Sequence, residues 1–316
     1  MADDSLGARP RAESPEAEPA EGVGAAGAVV VGIDGSEADG PVIDWAADEA
    51  ARMGAPLRLV NVIDPGVQMT SYEVLASGSP SLAERFSQDA HVLLRAACAR
   101  ASARHPDLDL AVSVPTGRAA SALVRLSDGA LRVVVGGPAR GHLERILLGS
   151  VALPVVAHAH CPVVVVPTGT DVGNLRRIVV GVDASERSDR AVEYALATAA
   201  ASGAALTAVL VWNLEVEEGM VVTEPSSEHW SAVQRRYLEV GHVAVDPLAA
   251  DYPGVDVTIT VRHGSTAKAL VQAVADLDAD LLVVGSRGRG GFRGLLLGSV
   301  SRRVVEQAHG VVAVVR

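Results

Sequence analysis

The fold is decided by a short apolar segment ending in aspartate that occurs twice, as VVVGIDGS at residues 29–36 and as IVVGVDAS at residues 178–185. A brief run of β-branched residues closed by a turn is typical of a buried strand. The two aspartates, Asp34 and Asp183, lie 149 residues apart. The chain is therefore predicted to contain an internal repeat that opens with a strand.

Further matching segments extend this repeat. GGPARGHLERILLGSVA begins at Gly136 and matches GSRGRGGFRGLLLGSVS from Gly285, again 149 residues on. VSVPTGRAASALV matches ITVRHGSTAKALV, with Gly117 on Gly264. Segments that keep their order at nearly constant spacing predict two copies of a domain of about 140 residues. We divide the chain into a disordered tail at 1–26, a first domain at 27–168, a linker at 169–175 and a second domain at 176–316.

Each copy alternates strand and helix patterns. In the first copy, strand patterns at 28–33, 57–63, 110–114, 131–135 and 163–166 alternate with helix patterns at 41–53, 81–104, 119–127 and from about 150. This order predicts an α/β fold of two tandem, doubly wound domains, each with a five-stranded parallel sheet and helices on both faces. The composition suits such a core, since 49% of residues are hydrophobic and only 3% are aromatic.

Bulk properties exclude several classes of protein. The formal net charge of −11 in 316 residues argues against a general binder of nucleic acid or anionic membranes. Two distant cysteines, Cys98 and Cys161, do not form a disulfide framework. The acidic start lacks the pattern of a signal peptide, and no apolar run is long enough to span a membrane. We therefore expect a cytoplasmic protein.

The strongest functional signal follows the fourth strand of the second copy. Gly285-Ser-Arg-Gly288 is followed after nine residues by Gly298-Ser299. Glycines let the backbone approach an anion closely, and a helix that begins at Ser299 would direct its positive end toward that anion. Arg287 adds positive charge, as do Arg289 and Arg293. A di- or triphosphate is the ligand that this loop is expected to hold, with Asp183 placed for a ribose hydroxyl.

The spacing G-x2-G-x9-G-[ST] resembles the ATP-binding signature of the universal stress protein family, whose tandem forms are familiar in actinobacteria. The opening VGxDxS and the closing apolar strand are similar to that family as well, and the resemblance covers both copies. It implies a sheet of the adenine nucleotide alpha-hydrolase type and ATP as ligand, with Mg²⁺ as companion. It also implies ribose near Asp183, adenine near Val211, and pairing of the two fifth strands, 163–166 and 311–315, as an intramolecular pseudo-dimer. Further homodimerisation is compatible with the family.

Matching the two copies gives a set of expected nucleotide-binding residues. The first copy departs from the signature, because Ala139 replaces the second glycine and Pro138 stands at the position of Arg287. Such changes remove conformational freedom and an N–H donor. The complete predicted set is Asp34, Gly35, Val62, Gly136, Ala139, Gly149, Ser150 and Val151 in the first copy, and Asp183, Ala184, Val211, Gly285, Arg287, Gly288, Gly298, Ser299, Val300 and Ser301 in the second.

Several of these residues have a simpler structural interpretation. The two aspartates could cap the turn after the first strand, and Ser36 and Ser185 are better explained as turn or helix-cap residues than as ligands. Trp212 could form a wall for the base or belong to the core. His158 and His160 do not share a helix face, so we expect no metal site there.

Three functions remain open at this stage. The first is a nucleotide-binding stress-response protein without fast catalysis, because no positioned base accompanies the loop. The second is an ATP-using ligase or phosphotransferase, with a substrate pocket in the loops at 64–80 or 214–226. The third is an interaction module without nucleotide.

Overall fold

The computed structural model describes residues 20–21, 26–64, 81–139, 150–213, 216–217, 220–221, 225, 227–288 and 296–316. Residues 65–80 of the loop predicted at 64–80, and most of the N-terminal tail, lie outside these residues. Two residues of the tail, Ala20–Glu21, form a short strand, β1.

The first repeat alternates strands with helices in the predicted order. Its elements are β2 (Val29–Ile33), α1 (Asp39–Met53), β3 (Leu57–Asn61), α2 (Ser81–Arg104), β4 (Leu110–Ser113), α3 (Ala119–Leu126), β5 (Arg132–Ala139), α4 (Ala152–His158) and β6 (Val163–Thr168). Gly54 ends α1 in the left-handed conformation, as a glycine after a helix commonly does.

The second repeat follows the same order with one addition. Its elements are β7 (Arg177–Val182), α5 (Glu186–Ser202), β8 (Ala205–Trp212), β9 (Val216–Glu217), β10 (Met220–Val221), α6 (Glu228–Ala249), β11 (Val257–His263), α7 (Thr266–Asp276), β12 (Leu281–Gly285), α8 (Ser299–Gln307) and β13 (Val311–Val315). The addition is the antiparallel pair β9–β10. It lies in the segment that the sequence predicted as a loop.

Within the described residues, eleven strands join in one sheet, in the order β1-β4-β3-β2-β5-β6-β13-β12-β7-β8-β11. Each repeat contributes five consecutive parallel strands, as predicted. In both repeats the winding reverses between the first strand and the fourth, β2 and β5 or β7 and β12. The carboxyl ends of these strands therefore open a crevice in each repeat.

The two halves of the sheet meet at β6 and β13, which pair antiparallel. Val164 lies opposite Ala313, Val165 opposite Val312 and Val163 opposite Val314. Since Val164 and Ala313 occupy matching positions of the two repeats, an approximate two-fold axis passes through this pair.

Helices cover both faces of the sheet. Along β2, Val29 and Val31 pack into one apolar layer with α1, α2, α5 and α6, and Val30 packs into the opposite layer with α3, α4, α7 and α8. Aliphatic side chains bury on both faces, which explains why the strands read as continuous apolar runs. Among the described helices, none combines the length and apolar character that a bilayer-spanning segment requires.

A buried group of charges also links the repeats. Glu49 of α1 is 1% exposed, accepts a hydrogen bond from Arg52 at 2.5 Å and forms an ion pair with Arg132 of β5. The Arg132 guanidinium lies 4.1 Å from the ring centroid of Tyr194, on α5 of the second repeat. A cation over an aromatic face is attracted to the ring, so Arg132 holds the two halves together while it pairs with Glu49.

Candidate functional site

The candidate site lies at the carboxyl ends of β7, β8 and β12, at the crevice of the second repeat. Asp183 follows β7, Val211 and Trp212 end β8, and Gly285 ends β12. The sheet order places β7 between β8 and β12. Residues predicted from separate segments of sequence are thus brought to one edge of the sheet.

The turn after β7 holds Asp183 in a fixed position. Its Oδ1 accepts hydrogen bonds from the Ser185 amide at 3.1 Å and the Ser185 hydroxyl at 2.6 Å. Ser185 also begins α5, where it forms a capping box with Ser188. Ser185 is therefore a cap residue, in agreement with the simpler interpretation of the sequence.

Ala184 shows that this turn is strained. Its φ is 54°, in the left-handed region that side chains other than glycine rarely adopt. The matching residue of the first repeat is Gly35, with φ of 87°. The same turn thus occurs in both repeats, but only in the second does it place a residue with a Cβ in the left-handed conformation, which is strained.

Close contacts join the loop after β12 to the start of α8. The Ser286 amide donates to the Val315 carbonyl at 2.6 Å, and the Gly298 amide donates to the Ser286 carbonyl at 2.8 Å. The Ser301 hydroxyl donates to the Gly285 carbonyl at 2.7 Å. Gly298 and Ser301 were expected to serve the ligand, but the Gly298 amide and the Ser301 hydroxyl are used to close the loop. A Cβ at Gly298 would lie 3.3 Å from the Arg287 Cα, so glycine permits this close approach.

The first turn of α8 presents backbone donors. The helix begins after Gly298, and no side chain among the described residues caps it. The first N–H groups of an α-helix have no acceptor within the helix, and here they belong to Ser299, Val300 and Ser301. Together with the positive end of the helix dipole, they make this turn suitable for an anion.

Gly288 brings the loop against Asp183. A Cβ built on Gly288 would lie 2.5 Å from the Asp183 Oδ2, closer than side chains normally approach an oxygen. The second glycine of the signature is therefore required by the carboxylate that ends β7. A residue predicted for phosphate and a residue predicted for ribose are in direct contact.

Aromatic rings line the β8 side of the site. Trp212 is 1% exposed and lies with its ring centroid 4.6 Å from that of Trp230 and 4.4 Å from that of His263. Trp212 thus belongs to a small core, and Val211 beside it is half-buried. The sequence did not identify Trp230 or His263 as neighbours of the site. His263 could have been found from its position, because it ends β11 just before Gly264.

The first repeat uses its corresponding turn differently. Asp34 accepts a hydrogen bond from the Ser36 amide at 3.0 Å, like its counterpart. Asp39 accepts from the amides of Asp34 at 3.2 Å and Gly35 at 2.7 Å. Burial raises the pKa of Asp39, although these amide bonds oppose the shift. Two backbone donors of the turn after β2 are therefore taken by a side chain of the protein.

The fourth strand of the first repeat continues through the predicted loop. Its end does not turn at Gly136, because Ala139 pairs with Thr168 of β6 after an irregularity in register. Ala139 therefore lies along the sheet, whereas its counterpart Gly288 contacts an aspartate.

The remaining predicted residues of the first repeat occupy the turn before α4 and the end of β3. Val62 follows β3 and is half-buried, Ser150 is an exposed turn residue, and Val151 precedes α4. Gly149 lies outside the described residues. Helix α4 begins two positions later than α8 does in its repeat.

Other groups that drew attention in the sequence are structural. Burial raises the pKa of the Cys161 thiol to about 11 and raises that of Cys98 as well. Within the described ranges, no group of three or more His, Cys, Asp or Glu side chains is placed to hold a metal ion. The two loops suggested as a substrate pocket for an enzyme carry Tyr72, Glu73, Glu217 and Glu218. Glu217 belongs to β9, and the other three lie outside the described residues.

Comparison with known proteins gives matches over nearly the whole chain. The profile of the universal stress protein family matches twice, at residues 27–167 and 174–316. Two universal stress proteins of Mycobacterium tuberculosis are 33% identical over 297 residues and 35% identical over 300 residues. Both alignments cover 91% of this chain and 96% of the relative. The crystal structure of a universal stress protein from Archaeoglobus fulgidus superposes with a TM-score of 0.65 at 22% identity, covering 93% of this chain and 97% of that one.

Proposed function

We propose that this chain, which belongs to the universal stress protein family, binds ATP in its second repeat and acts as a nucleotide-dependent stress-response regulator. One observation carries this proposal. Gly288 packs against Asp183, and the same loop leads into the first turn of α8, which no described side chain caps. Backbone amides that can donate to a polyphosphate and a carboxylate that can accept from a ribose thus lie at one crevice.

The ligand is proposed to lie across the ends of three strands. Its phosphates would accept from the amides of Gly288, Ser299 and Val300, and its ribose would donate to Asp183. The base would lie near Val211, at the end of β8. Mg²⁺ would bind together with the nucleotide, because the phosphates supply the hard oxygen ligands that this ion prefers.

Slow or absent hydrolysis is part of the proposal. Asp183 accepts two hydrogen bonds from Ser185. These bonds orient the carboxylate and leave its second oxygen as an acceptor for a ribose hydroxyl. We assign Asp183 this binding role and no role in activating water. ATP would instead act by stabilising one conformation of the loop.

The pairing of β6 with β13 supports an intramolecular pseudo-dimer. Such pairing covers two apolar sheet edges that would otherwise invite association with other chains. The first repeat would then serve mainly as the partner of the second, because Asp39 takes two amides of the turn after β2 and β5 continues through Ala139. We expect it to bind nucleotide more weakly. A cytoplasmic location is part of the same proposal, since ATP is available there.

Isothermal titration with ATP and Mg²⁺ tests the proposal, using wild type, Asp183→Ala and the matched variant Asp34→Ala. We expect saturable binding by wild type, a loss of about tenfold or more in Asp183→Ala, and a much smaller change in Asp34→Ala. Equal losses in both variants would contradict the assignment to the second repeat. The same samples should be assayed for ADP, AMP and pyrophosphate, and turnover at ordinary kinase rates would contradict a regulator without fast catalysis.

A further inference from the structure

The last strand of the sheet, β11, has one edge that no described strand covers. On its other side β11 pairs with β8 over seven residues. The matching strand of the first repeat, β4, has a neighbour on both sides, because the tail strand β1 pairs with it. A sheet edge without a partner presents backbone N–H and C=O groups to which another strand can bind.

The sequence along this edge is almost symmetric. Residues 256–262 read DVTITVR, so the residue types repeat on both sides of Ile259. The two ends carry opposite charges, on Asp256 and Arg262. When such a segment meets a copy of itself in antiparallel orientation, valine lies opposite valine, threonine opposite threonine and aspartate opposite arginine. Pairs of β-branched residues and pairs of opposite charges across two strands both stabilise a sheet.

The backbone of β11 is oriented for this pairing. The Asp256 carbonyl accepts from the Leu206 amide of β8 at 2.8 Å. Backbone groups of successive residues point to opposite sides of a strand, so the groups of every second residue face away from β8. These residues are Val257, Ile259 and Val261. An antiparallel pair centred on Ile259 places them opposite one another, which would form about six hydrogen bonds.

The charged ends select the antiparallel orientation. Arg262 is 27% exposed and donates to Asp276 at 2.6 Å, and Asp256 is exposed and forms no ion pair with the described residues. A guanidinium has five N–H donors, so Arg262 can keep Asp276 and also bind Asp256 of a second copy. A parallel pair of the same strands would instead place like charges opposite one another at both ends, which is destabilising.

The first repeat lacks this pattern. Its matching residues, 109–115, read DLAVSVP, so Pro115 stands at the position of Arg262. Proline supplies neither a charge nor a backbone N–H. The same strand is thus built without the symmetric sequence, and that sequence occurs on the strand whose edge is free.

Helix α6 would contribute to the same contact. A Cβ on Gly241 would lie 2.7 Å from the Ile259 Cγ2 and 2.8 Å from the Leu210 Cδ1, so α6 lies over β11 and β8. A two-fold axis beside Ile259 places the α6 helices of two copies about two strand spacings apart, roughly 10 Å, which is the distance between packed helices. Strands and helices together bury more surface than a strand pair alone, as a stable dimer requires.

We propose that two copies of this chain associate through β11, antiparallel about a two-fold axis beside Ile259, and so join their sheets into one. Each copy uses the same surface, so the assembly closes as a dimer and does not extend into a filament. The contact requires no nucleotide, and its test is therefore independent of the proposed function.

The first test measures the mass of the full chain by sedimentation equilibrium over a range of concentrations. Arg262→Asp and Asp256→Arg each place like charges opposite one another, so we expect the dissociation constant of either homodimer to rise about tenfold or more. An equimolar mixture of the two variants restores opposite charges at both ends and should dimerise about as tightly as wild type. Arg302→Asp is the matched control, because it also removes an exposed pair with a carboxylate, Glu306, but lies on α8.

The second test fixes the register by cross-linking. Thr258 lies opposite Thr260 of the second copy at a pair without backbone hydrogen bonds, where Cα atoms are about 4.5 Å apart and a disulfide can form. A mixture of Thr258→Cys and Thr260→Cys should therefore cross-link under mild oxidation, whereas either variant alone should not. Cys98 and Cys161 are buried and do not compete.

The outcomes decide the inference. Dimerisation that the charge reversals weaken and the mixture restores supports pairing through β11, and a variant that merely fails to fold would not recover on mixing. Wild type that stays monomeric at about 100 μM overturns the inference. A dimer that survives both charge reversals is formed by another surface and overturns it as well. Cross-linking of Thr260→Cys alone would place the axis at Thr260 and overturn the proposed register.

Discussion

Replacing Gly288 with alanine is expected to weaken ATP binding strongly while leaving the fold intact. The new Cβ would lie 2.5 Å from the Asp183 Oδ2. An ordinary contact between carbon and oxygen needs about 0.8 Å more, so either the loop or the carboxylate must move. A displaced Asp183 would lose its charge-assisted hydrogen bond to the ribose, which corresponds to a loss of about ten- to hundredfold in affinity. Gly288 is exposed, so the free energy of unfolding should change by only about 1 kcal/mol.

Titration calorimetry and urea unfolding measure the two effects separately. Gly254→Ala is the matched control, because it makes the same chemical change where a new Cβ meets nothing within 4 Å. In an Asp183→Ala background, Gly288→Ala should add little further loss, since the clashing oxygen is gone. Unchanged ATP affinity in the single variant, or full additivity in the double variant, would refute the reasoning.

Three further predictions concern the framework around the site. Ala184→Gly should raise the free energy of unfolding by about 0.5 kcal/mol. Relief of the left-handed φ of 54° outweighs the greater freedom of glycine in the unfolded chain. A loss of stability in urea unfolding would contradict this. Glu49→Gln should lower the free energy of unfolding by about 3 kcal/mol, because Arg52 and Arg132 lose the buried charge that they pair with. A change within about 0.5 kcal/mol, the range of a surface substitution, would show that these ion pairs do not stabilise the fold. Cys98 and Cys161 should not react with a disulfide reagent at pH 8 until the protein unfolds, because burial raises both pKa values, the second to about 11; rapid reaction of the native protein would contradict this.

Most of the fold could be predicted because the repeat supplied every strand twice. A pattern of β-branched runs separated by helices leaves few topologies, and the observed order of strands is the doubly wound one. The end of β5 was harder to predict. The glycines at 136 and 137 favour a turn after the strand, but Ala139 continues the pairing with β6. Whether β5 turns or continues depends on the neighbouring strand, which local sequence does not reveal.

The candidate site was predictable in its location but not in its detail. Sequence spacing placed Gly288 and Asp183 at one edge, and the structure brings them into contact. It could not show that the Gly298 amide is used by the Ser286 carbonyl, because that bond depends on how α8 docks on β12.

The central claim, that the crevice of the second repeat captures ATP, is tested most directly by the nucleotide content of the purified protein. Mass spectrometry of the material released on denaturation, combined with titration of the nucleotide-free protein with ATP, measures it without assuming any downstream partner. The account predicts that an adenine nucleotide co-purifies or binds saturably, and that Asp183→Ala abolishes this signal. A folded protein that releases no nucleotide and ignores ATP at millimolar concentration would contradict it.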